Sequence, residues 1–253
     1  MNLVTRGGAL LAAALLCLTT AGVSHAQLTS EPLQGYFGDI EVAPNSLVAS
    51  KGTGSSATNA VTTVYDNTLS AANFGFTSTD PLAVFGDEIF TTGLGILSSH
   101  KLSLFNAGTS LGPVLNATIG VQFFDAATAV FLGSYNVNVN FGAGLNPGFF
   151  STITVTPLDP LLINLNTTHL LVLQTVVSMT GTASNLGIAS RNPPTIGSSP
   201  AYMYISASTV GGGVPGYYNI GATPANPINQ IGVSPPPVST VSKSWSQIKK
   251  LYR

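Results

Sequence analysis

The chain has 253 residues, of which only 7% are charged, against roughly 25% in a typical soluble domain. Hydrophobic residues still make up 44%, so the composition excludes a disordered chain, which would combine low hydrophobicity with high net charge. Residues 27–234 contain nine acidic and only three basic residues, and the basic segment after them is short, so we expect no nucleic-acid partner.

The first 26 residues predict a cleaved secretory signal peptide. Arg6 supplies a positive charge, residues 9–23 are apolar, and the small-residue motif "SHA" precedes Gln27. The apolar stretch is too short to span a bilayer, so we expect no transmembrane segment after cleavage; the alternative is a buried N-terminal helix. The only cysteine, Cys17, lies in this segment, so the mature chain can form no disulfide, thiolate metal site or cysteine nucleophile.

Residues 27–234 predict a single all-β domain. Apolar and polar residues alternate in short runs that are separated by Gly, Pro, Asn and Asp, a pattern typical of an antiparallel β-sandwich or jelly roll. The expected strands are 60–66, 82–91, 100–105, 117–125, 130–141, 149–156, 169–177, 185–190 and 201–208. The fourth and fifth of these are joined by a short connection, which predicts a hairpin.

The run "SYNVNVNFGAG" over 134–144 has the clearest alternation. Side chains in a strand point to opposite faces in turn, so Tyr135, Val137, Val139 and Phe141 are expected in the core. Asn136, Asn138 and Asn140 are then expected on a wet outer face. Because Asn is a poor strand former, a second interpretation stays open, in which stacked amides bind a polar ligand or pair between chains.

The acidic residues give weak candidates for a metal site. Asp87, Glu88 and Asp125 carry the oxygen ligands that calcium prefers. Asp87 and Glu88 are adjacent in a strand and point to opposite faces, so we expect them instead as solvated charges that protect a sheet edge. Glycoside cleavage would need Glu88 to face Asp125 or Asp66 across a cleft, and the sequence does not bring such a pair together.

No sequence motif identifies a catalytic centre. The mature chain has two histidines, His100 and His169, and each begins an apolar run, so we expect a surface or strand-end position for both rather than a metal site. One G-x-S-x-G match occurs, at 108–112, but no helical pattern follows it as a nucleophile elbow requires, and no phosphate-binding loop occurs. The sequence therefore assigns no catalytic residue, no resident metal and no cofactor.

Tyrosines give the candidate ligand-binding residues. Tyr217 and Tyr218 follow the loop "GGGVPG", and Tyr202 and Tyr204 share one strand face. Exposed tyrosine rings can stack on sugars, although such rings more often serve packing. Tyr217 and Tyr218 therefore carry the alternative hypothesis, a carbohydrate-binding module with a polysaccharide as its partner.

The C-terminal residues differ in composition from the domain before them. Residues 27–234 contain three basic and nine acidic residues, a net charge of −6, whereas residues 235–253 contain four basic residues and no acidic one. Residues 235–242 form a Pro/Ser linker, and residues 243–253 predict a short basic amphipathic helix. We expect this tail to dock on envelope or export components, unless it is a frayed end; its docking residues are Trp245, Ile248, Lys249, Lys250 and Tyr252.

Several segments resemble the bacterial choice-of-anchor extracellular domains of PEP-CTERM-associated secreted proteins. The similar segments are "VYDN" (64–67), "FGDEI" (85–89), "VQFFDA" (121–126), "NFGAGLNPGFFSTIT" (140–154) and "RNPPTIGSSPAYMYI" (191–205). The resemblance covers about 64–233 and implies a β-sandwich exported to the bacterial cell surface or matrix. The tail departs from the family pattern because "SPPPV" lacks the Glu of Pro-Glu-Pro and no apolar span follows, so anchoring by that route is not predicted.

The sequence as a whole predicts an exported, non-enzymatic β-sandwich of the cell surface or extracellular matrix, structural or adhesive in role. A C-terminal sorting or docking tail completes it. The alternatives are a carbohydrate-binding module and, less favoured, a glycoside hydrolase.

Overall fold

The computed structural model describes residues 28–44, 46–48, 60–70, 72–78, 84–183, 185–200, 202–205, 216–218 and 226–235. Within these ranges the chain forms β-strands, connecting loops and one turn of 3₁₀ helix at Asp159–Leu161. The predicted signal peptide and the predicted amphipathic tail lie outside the described residues.

Sixteen strands account for most of the described chain. In order they are β1 (Leu28–Pro32), β2 (Gly35–Val42), β3 (Ser46–Val48), β4 (Thr62–Asp66), β5 (Ala72–Ser78), β6 (Val84–Phe90), β7 (Gly95–Asn106), β8 (Val114–Asp125), β9 (Phe131–Leu145), β10 (Phe149–Val155), β11 (Asn164–Leu165), β12 (His169–Gly181), β13 (Leu186–Arg191), β14 (Met203–Ile205), β15 (Gly216–Tyr218) and β16 (Gln230–Ser234).

The strands form two sheets. One sheet has seven strands in the order β15-β14-β6-β12-β8-β9-β3. The other has nine strands, with the path β1-β5-β13-β7-β10-β2 and with β4, β11 and β16 joined beside it. The twelve-residue strand β7 is long enough to pair with different strands along its length: with β11 and β16 near its start and with β10 and β13 near its end.

The main core lies between the two sheets. It joins Leu97 and Leu102 of β7, in the nine-stranded sheet, with Ile119 and Val121 of β8, in the other sheet, all with 0% exposure. Burial of the inner faces of two sheets against each other is the arrangement of a β-sandwich. The predicted all-β sandwich is confirmed at this level, and the alternation along β9 agrees with it: Tyr135, Val137, Val139 and Phe141 are at most 2% exposed.

The details of strand pairing differ in part from the expectation. The predicted hairpin is confirmed, since β8 and β9 pair antiparallel with Ala117 opposite Val139. The sheets are not wholly antiparallel, because β2 and β10 pair in parallel. These two strands are distant in sequence, so no tight turn forces them to run in opposite directions.

The outer faces of the two sheets are covered to different extents. A small cluster of Phe105, Phe150, Ala189 and Ile228 packs on the outer side of the nine-stranded sheet, under the segment that precedes β16. In the seven-stranded sheet, the outer side of β8, β9 and β12 carries exposed residues. Among the described residues, these three strands form the exposed outer face of the seven-stranded sheet.

Candidate binding face

Polar, uncharged side chains form cross-strand rows on the outer side of β12, β8 and β9. The register places Asn116 opposite Asn140 and Thr118 opposite Asn138. On the other flank of β8, Thr180 lies opposite Asn116 and Ser178 opposite Thr118. We call this surface the amide face; it consists of Asn116, Thr118, Asn138, Asn140, Ser178 and Thr180.

Hydrogen bonds connect the amide face across its strands. Ser178 Oγ donates to Thr118 Oγ1 at 3.0 Å, and Thr118 Oγ1 donates to Asn138 Oδ1 at 2.8 Å. In the next row Asn116 Nδ2 donates to Thr180 Oγ1 at 2.9 Å. Cross-strand polar pairs of this kind hold side chains in fixed positions, so the face is organised before any ligand binds.

Two amide groups keep their donors unused. The Oδ1 atom of Asn140 accepts the backbone N–H of Gly142 at 2.7 Å, just as Asn138 Oδ1 accepts from Thr118. Within the described ranges of the chain, the side-chain nitrogens of Asn138 and Asn140 have no protein acceptor. Both residues are exposed, so these N–H groups point to solvent or to a ligand.

A shallow cavity of about 350 Å³ lies on this surface. Its lining consists of the six residues of the amide face together with Ala117, Val139 and Met179. None of these nine side chains is ionisable, so the cavity offers hydrogen-bonding groups and some apolar surface without a charge.

Aromatic side chains lie on the same outer side, at the other end of the strands. Phe124 of β8 is opposite Phe131 of β9, and their ring centroids are 5.4 Å apart in an edge-to-face arrangement. Phe131 is 49% exposed. Leu171 of β12 lies beside Phe124 and also beside Glu88 of β6, so one row runs across four strands.

Glu88 belongs to a small polar cluster beside these rings. Its Oε1 atom contacts Nε2 of His169, and the hydroxyl of Tyr202 donates to its Oε2 at 3.2 Å. The ring of His169 stacks on Phe90 with centroids 4.3 Å apart. His169 therefore lies at a strand end, as the sequence predicted, and its partner is a carboxylate.

Asp87 points to the opposite side of β6 and is fully buried at 0% exposure. Ser199 Oγ donates to its Oδ1 at 2.7 Å, and the hydroxyl of Tyr65 donates to its Oδ2 at 3.4 Å. Burial raises the pKa of this carboxyl well above its usual value. The expectation that Asp87 and Glu88 are solvated edge charges is wrong, because β6 lies between β14 and β12 and both side chains have protein partners.

His100 is also placed differently from the expectation of a surface or strand-end residue. It lies inside β7 at 1% exposure, with Nδ1 at 2.6 Å from the hydroxyl of Tyr135 and Nε2 at 2.9 Å from Asn229 Oδ1. Desolvation lowers its pKa to about 4. The apolar run that His100 begins does not reveal that β7 starts five residues earlier, so this buried position could not be predicted from the sequence.

The remaining acidic candidates have partners of their own. Asp125 accepts the backbone N–H groups of Ala127 at 2.9 Å and Thr128 at 3.3 Å, which closes its own turn. Asp66 accepts from Gln230 Nε2 at 2.8 Å. Glu88, Asp125 and Asp66 thus have different hydrogen-bond partners, and in the described ranges no group of three His, Asp or Glu side chains converges as a metal site would need.

The structure describes the tyrosine candidates only in part. The backbone of β15 pairs Tyr217 with Tyr204 and Tyr218 with Met203, which puts the two candidates in the edge strand of the seven-stranded sheet. Their side chains, and all of the tail residues Trp245, Ile248, Lys249, Lys250 and Tyr252, lie outside the described residues.

Alternation along the predicted strands 130–141 and 117–125 placed Asn138, Asn140 and Thr118 on an outer face, whereas Asn116, Ser178 and Thr180 lie outside the predicted strand bounds. Ser178 and Thr180 follow the apolar run of β12, beyond the predicted strand end at 177, and a bulge between Val176 and Ser178 breaks the alternation that would have placed them. The phenyl rings of Phe90, Phe124 and Phe131 were predicted in strands without any indication that they share a face.

No protein-family model, no curated protein and no solved structure matches the chain. Among the described residues, no helix has the length and apolarity needed to cross a membrane.

Proposed function

We propose that this protein is an exported, non-enzymatic β-sandwich module of the bacterial cell surface or extracellular matrix, structural or adhesive in role. Its C-terminal segment, 243–253, would serve as a sorting or docking tail. The observation that carries the proposal is the open amide face: a preorganised, uncharged hydrogen-bonding surface on a two-sheet scaffold.

Three further features support this proposal. The N-terminal 26 residues have the pattern of a secretory signal. The chain after them has no cysteine, so its stability depends on the sandwich core rather than on the redox state of the compartment. The resemblance to choice-of-anchor domains, noted from the sequence, points to the same location.

Export is tested by producing the full-length chain in a bacterial host and separating cytoplasm, envelope and medium. We expect the protein in the envelope or medium with Gln27 as its first residue, determined by mass spectrometry. A variant without residues 2–26 is the matched control and should stay in the cytoplasm. Full-length protein found in the cytoplasm with its N-terminus intact would contradict the proposal.

The non-enzymatic role is tested against glycoside cleavage, the reaction for which Glu88 was considered. The purified protein is incubated with a panel of polysaccharides, and new reducing ends are measured. We expect no release above background from either the wild-type protein or Glu88→Gln. Release by the wild-type protein that is lost in Glu88→Gln would assign an acid or base role to Glu88 and overturn this part of the proposal.

A further inference from the structure

We propose that the amide face binds an uncharged polysaccharide, whose chain runs along β9 from the amide face toward Phe131. The inference rests on the proposed function, to which it adds the class of ligand and the residues that contact it.

The first argument is the balance of donors and acceptors. Asn138 and Asn140 present side-chain N–H groups that no acceptor in the described chain uses. Asn116 donates through Nδ2, which leaves its Oδ1 atom as an acceptor. A ligand must therefore accept and donate within a few ångströms, and a hydroxyl group does both. Sugars carry a hydroxyl on almost every carbon and so fit this mixed surface.

The second argument is charge. The cavity lining contains no ionisable side chain. The two cationic side chains within the described ranges, Lys101 and Arg191, belong to the nine-stranded sheet; the first is paired with Asp39 and the second lies over the ring of Phe150. An anionic polysaccharide would find no counter-charge on the amide face, so the ligand is a neutral one.

The third argument is shape. The cavity of about 350 Å³ falls within the range of about 300–1,000 Å³ that is usual for small-molecule sites. The cavity is shallow and open along the sheet, so a sugar unit lying on the face can reach its polar lining.

The fourth argument is the length of the face. Positions 131 and 140 of β9 are separated by about 30 Å at roughly 3.3 Å per strand residue. The half-exposed ring of Phe131 lies at one end of this path, and the apolar side of a sugar ring can pack on it. The geometry therefore suits an extended chain of several sugar units better than a single monosaccharide.

The experiment measures binding of the full-length protein to neutral polysaccharides, namely cellulose, chitin, starch and dextran, with alginate as an anionic comparison. The test variant is Asn138→Asp with Asn140→Asp. It keeps the oxygens that accept from Thr118 and Gly142 and removes the free N–H donors. The matched control is Asn164→Asp with Asn166→Asp, which adds the same charge at the same spacing on exposed residues in and beside β11, in the nine-stranded sheet.

We expect the wild-type protein and the control to bind at least one neutral polysaccharide and the test variant to bind it at least tenfold more weakly, with the melting temperature of all three closely similar. Phe131→Ala should weaken the binding of long chains more than that of a disaccharide. Phe74→Ala, which removes a ring of 38% exposure from the other sheet, is its control and should have no effect.

Four results would overturn the inference: no binding to any neutral polysaccharide, binding to alginate alone, equal loss of binding in the test variant and its control, or self-association that the test variant abolishes. The last of these would assign the amide face to a second copy. None of these results bears on export, which the fractionation of the full-length chain decides separately.

Discussion

At the scale of single residues, strand alternation decides which side chains the fold depends on. Val139 and Asn138 are neighbours in β9, yet Val139 is 1% exposed inside the core and Asn138 is exposed on the amide face. The same alternation separates Asp87, which is buried with Tyr65 and Ser199, from Glu88, which faces His169 and Tyr202. Even two adjacent carboxylates, Asp87 and Glu88, thus lie in different environments.

Val139→Asn is expected to destabilise the domain far more than Asn138→Val. The inward change leaves an amide without partners, which costs about 1–3 kcal/mol, and also removes apolar contacts. The outward change loses one exposed hydrogen bond and should alter the free energy of unfolding by about 0.5 kcal/mol or less. Urea unfolding of the two variants measures this, and equal shifts would contradict the assignment of faces.

His100 is expected to make stability fall as the pH decreases. In the unfolded chain its pKa is near 6.5, whereas burial lowers the folded-state pKa to about 4. The unfolded state therefore binds the proton first, and the stabilising contribution of the neutral ring is present above pH 6.5 and lost as the pH falls toward 4. At 1.36 kcal/mol per pKa unit, His100 alone lowers the free energy of unfolding by about 2 kcal/mol between pH 7.5 and 4.5.

His100→Gln tests that contribution. An amide can still accept from Tyr135 and donate to Asn229, but it does not titrate. Between pH 7.5 and 4.5, we expect the free energy of unfolding of the variant to fall by about 2 kcal/mol less than that of the wild-type protein. This difference does not depend on how stable the variant is at pH 7.5. Asp87 acts in the opposite direction, since its raised pKa makes stability fall as the pH rises above 3.8, so the comparison of the two proteins isolates His100. Parallel pH profiles would show that His100 is not desolvated.

At the scale of elements, β13 shows how closely neighbouring strands constrain each other. It lies between β5 and β7 in the nine-stranded sheet. A Cβ atom added at Gly187 would lie 1.7 Å from the backbone oxygen of Phe76 in β5. The backbone of a paired strand cannot move away from a new Cβ atom as a flexible side chain can. Position 187 therefore accepts only glycine.

Gly187→Ala is expected to destabilise the protein by about 3 kcal/mol or more, because β13 and β5 must separate. Gly120→Ala, in β8 on the outer side of the other sheet, is the control. There the nearest atom is Asn136 Oδ1 at 3.0 Å, the end of a side chain that can rotate, so the change should stay within about 1 kcal/mol. Thermal unfolding followed by circular dichroism compares the two, and similar melting temperatures would mean that β13 and β5 are not this close.

At the scale of the whole molecule, the sandwich is a complete core with an open polar face. Strand β16 ends at Ser234, whose hydroxyl donates to Asp159 at 2.6 Å, and it pairs with both β4 and β7. The last described strand is thus bound into the nine-stranded sheet. The basic tail that follows in sequence has the opposite net charge and is expected to act in sorting or docking.

Removal of residues 235–253 is expected to leave the melting temperature nearly unchanged and to alter where the protein accumulates. A helix of this length is marginal by itself in water, so it should form only against a partner. Calorimetry and cell fractionation of the truncated chain provide the two measurements. Unchanged localisation would refute the sorting or docking role, and a large fall in melting temperature would show that Trp245 and Ile248 pack against the sandwich.

The fold class and the orientation of β9 were predictable from the sequence, because a period of two in apolar residues leaves one buried face and one solvent-exposed face. Most strands were also predictable from this local pattern, since the information lies within each run. The strands β1, β2, β3, β5, β11, β15 and β16 were not predicted, because their pairing depends on strands elsewhere in the chain.

Contacts between residues of different strands followed from the three-dimensional packing and not from any local pattern. The amide face combines the hairpin of β8 and β9 with β12, which is distant from it in sequence. A bulge in β12 shifts Ser178 and Thr180 onto this face. The burial of Asp87 and His100 likewise depends on neighbours from other strands. Alternation tells which way a side chain points, but register and the packing of the two sheets determine what it contacts, and these are properties of the whole chain.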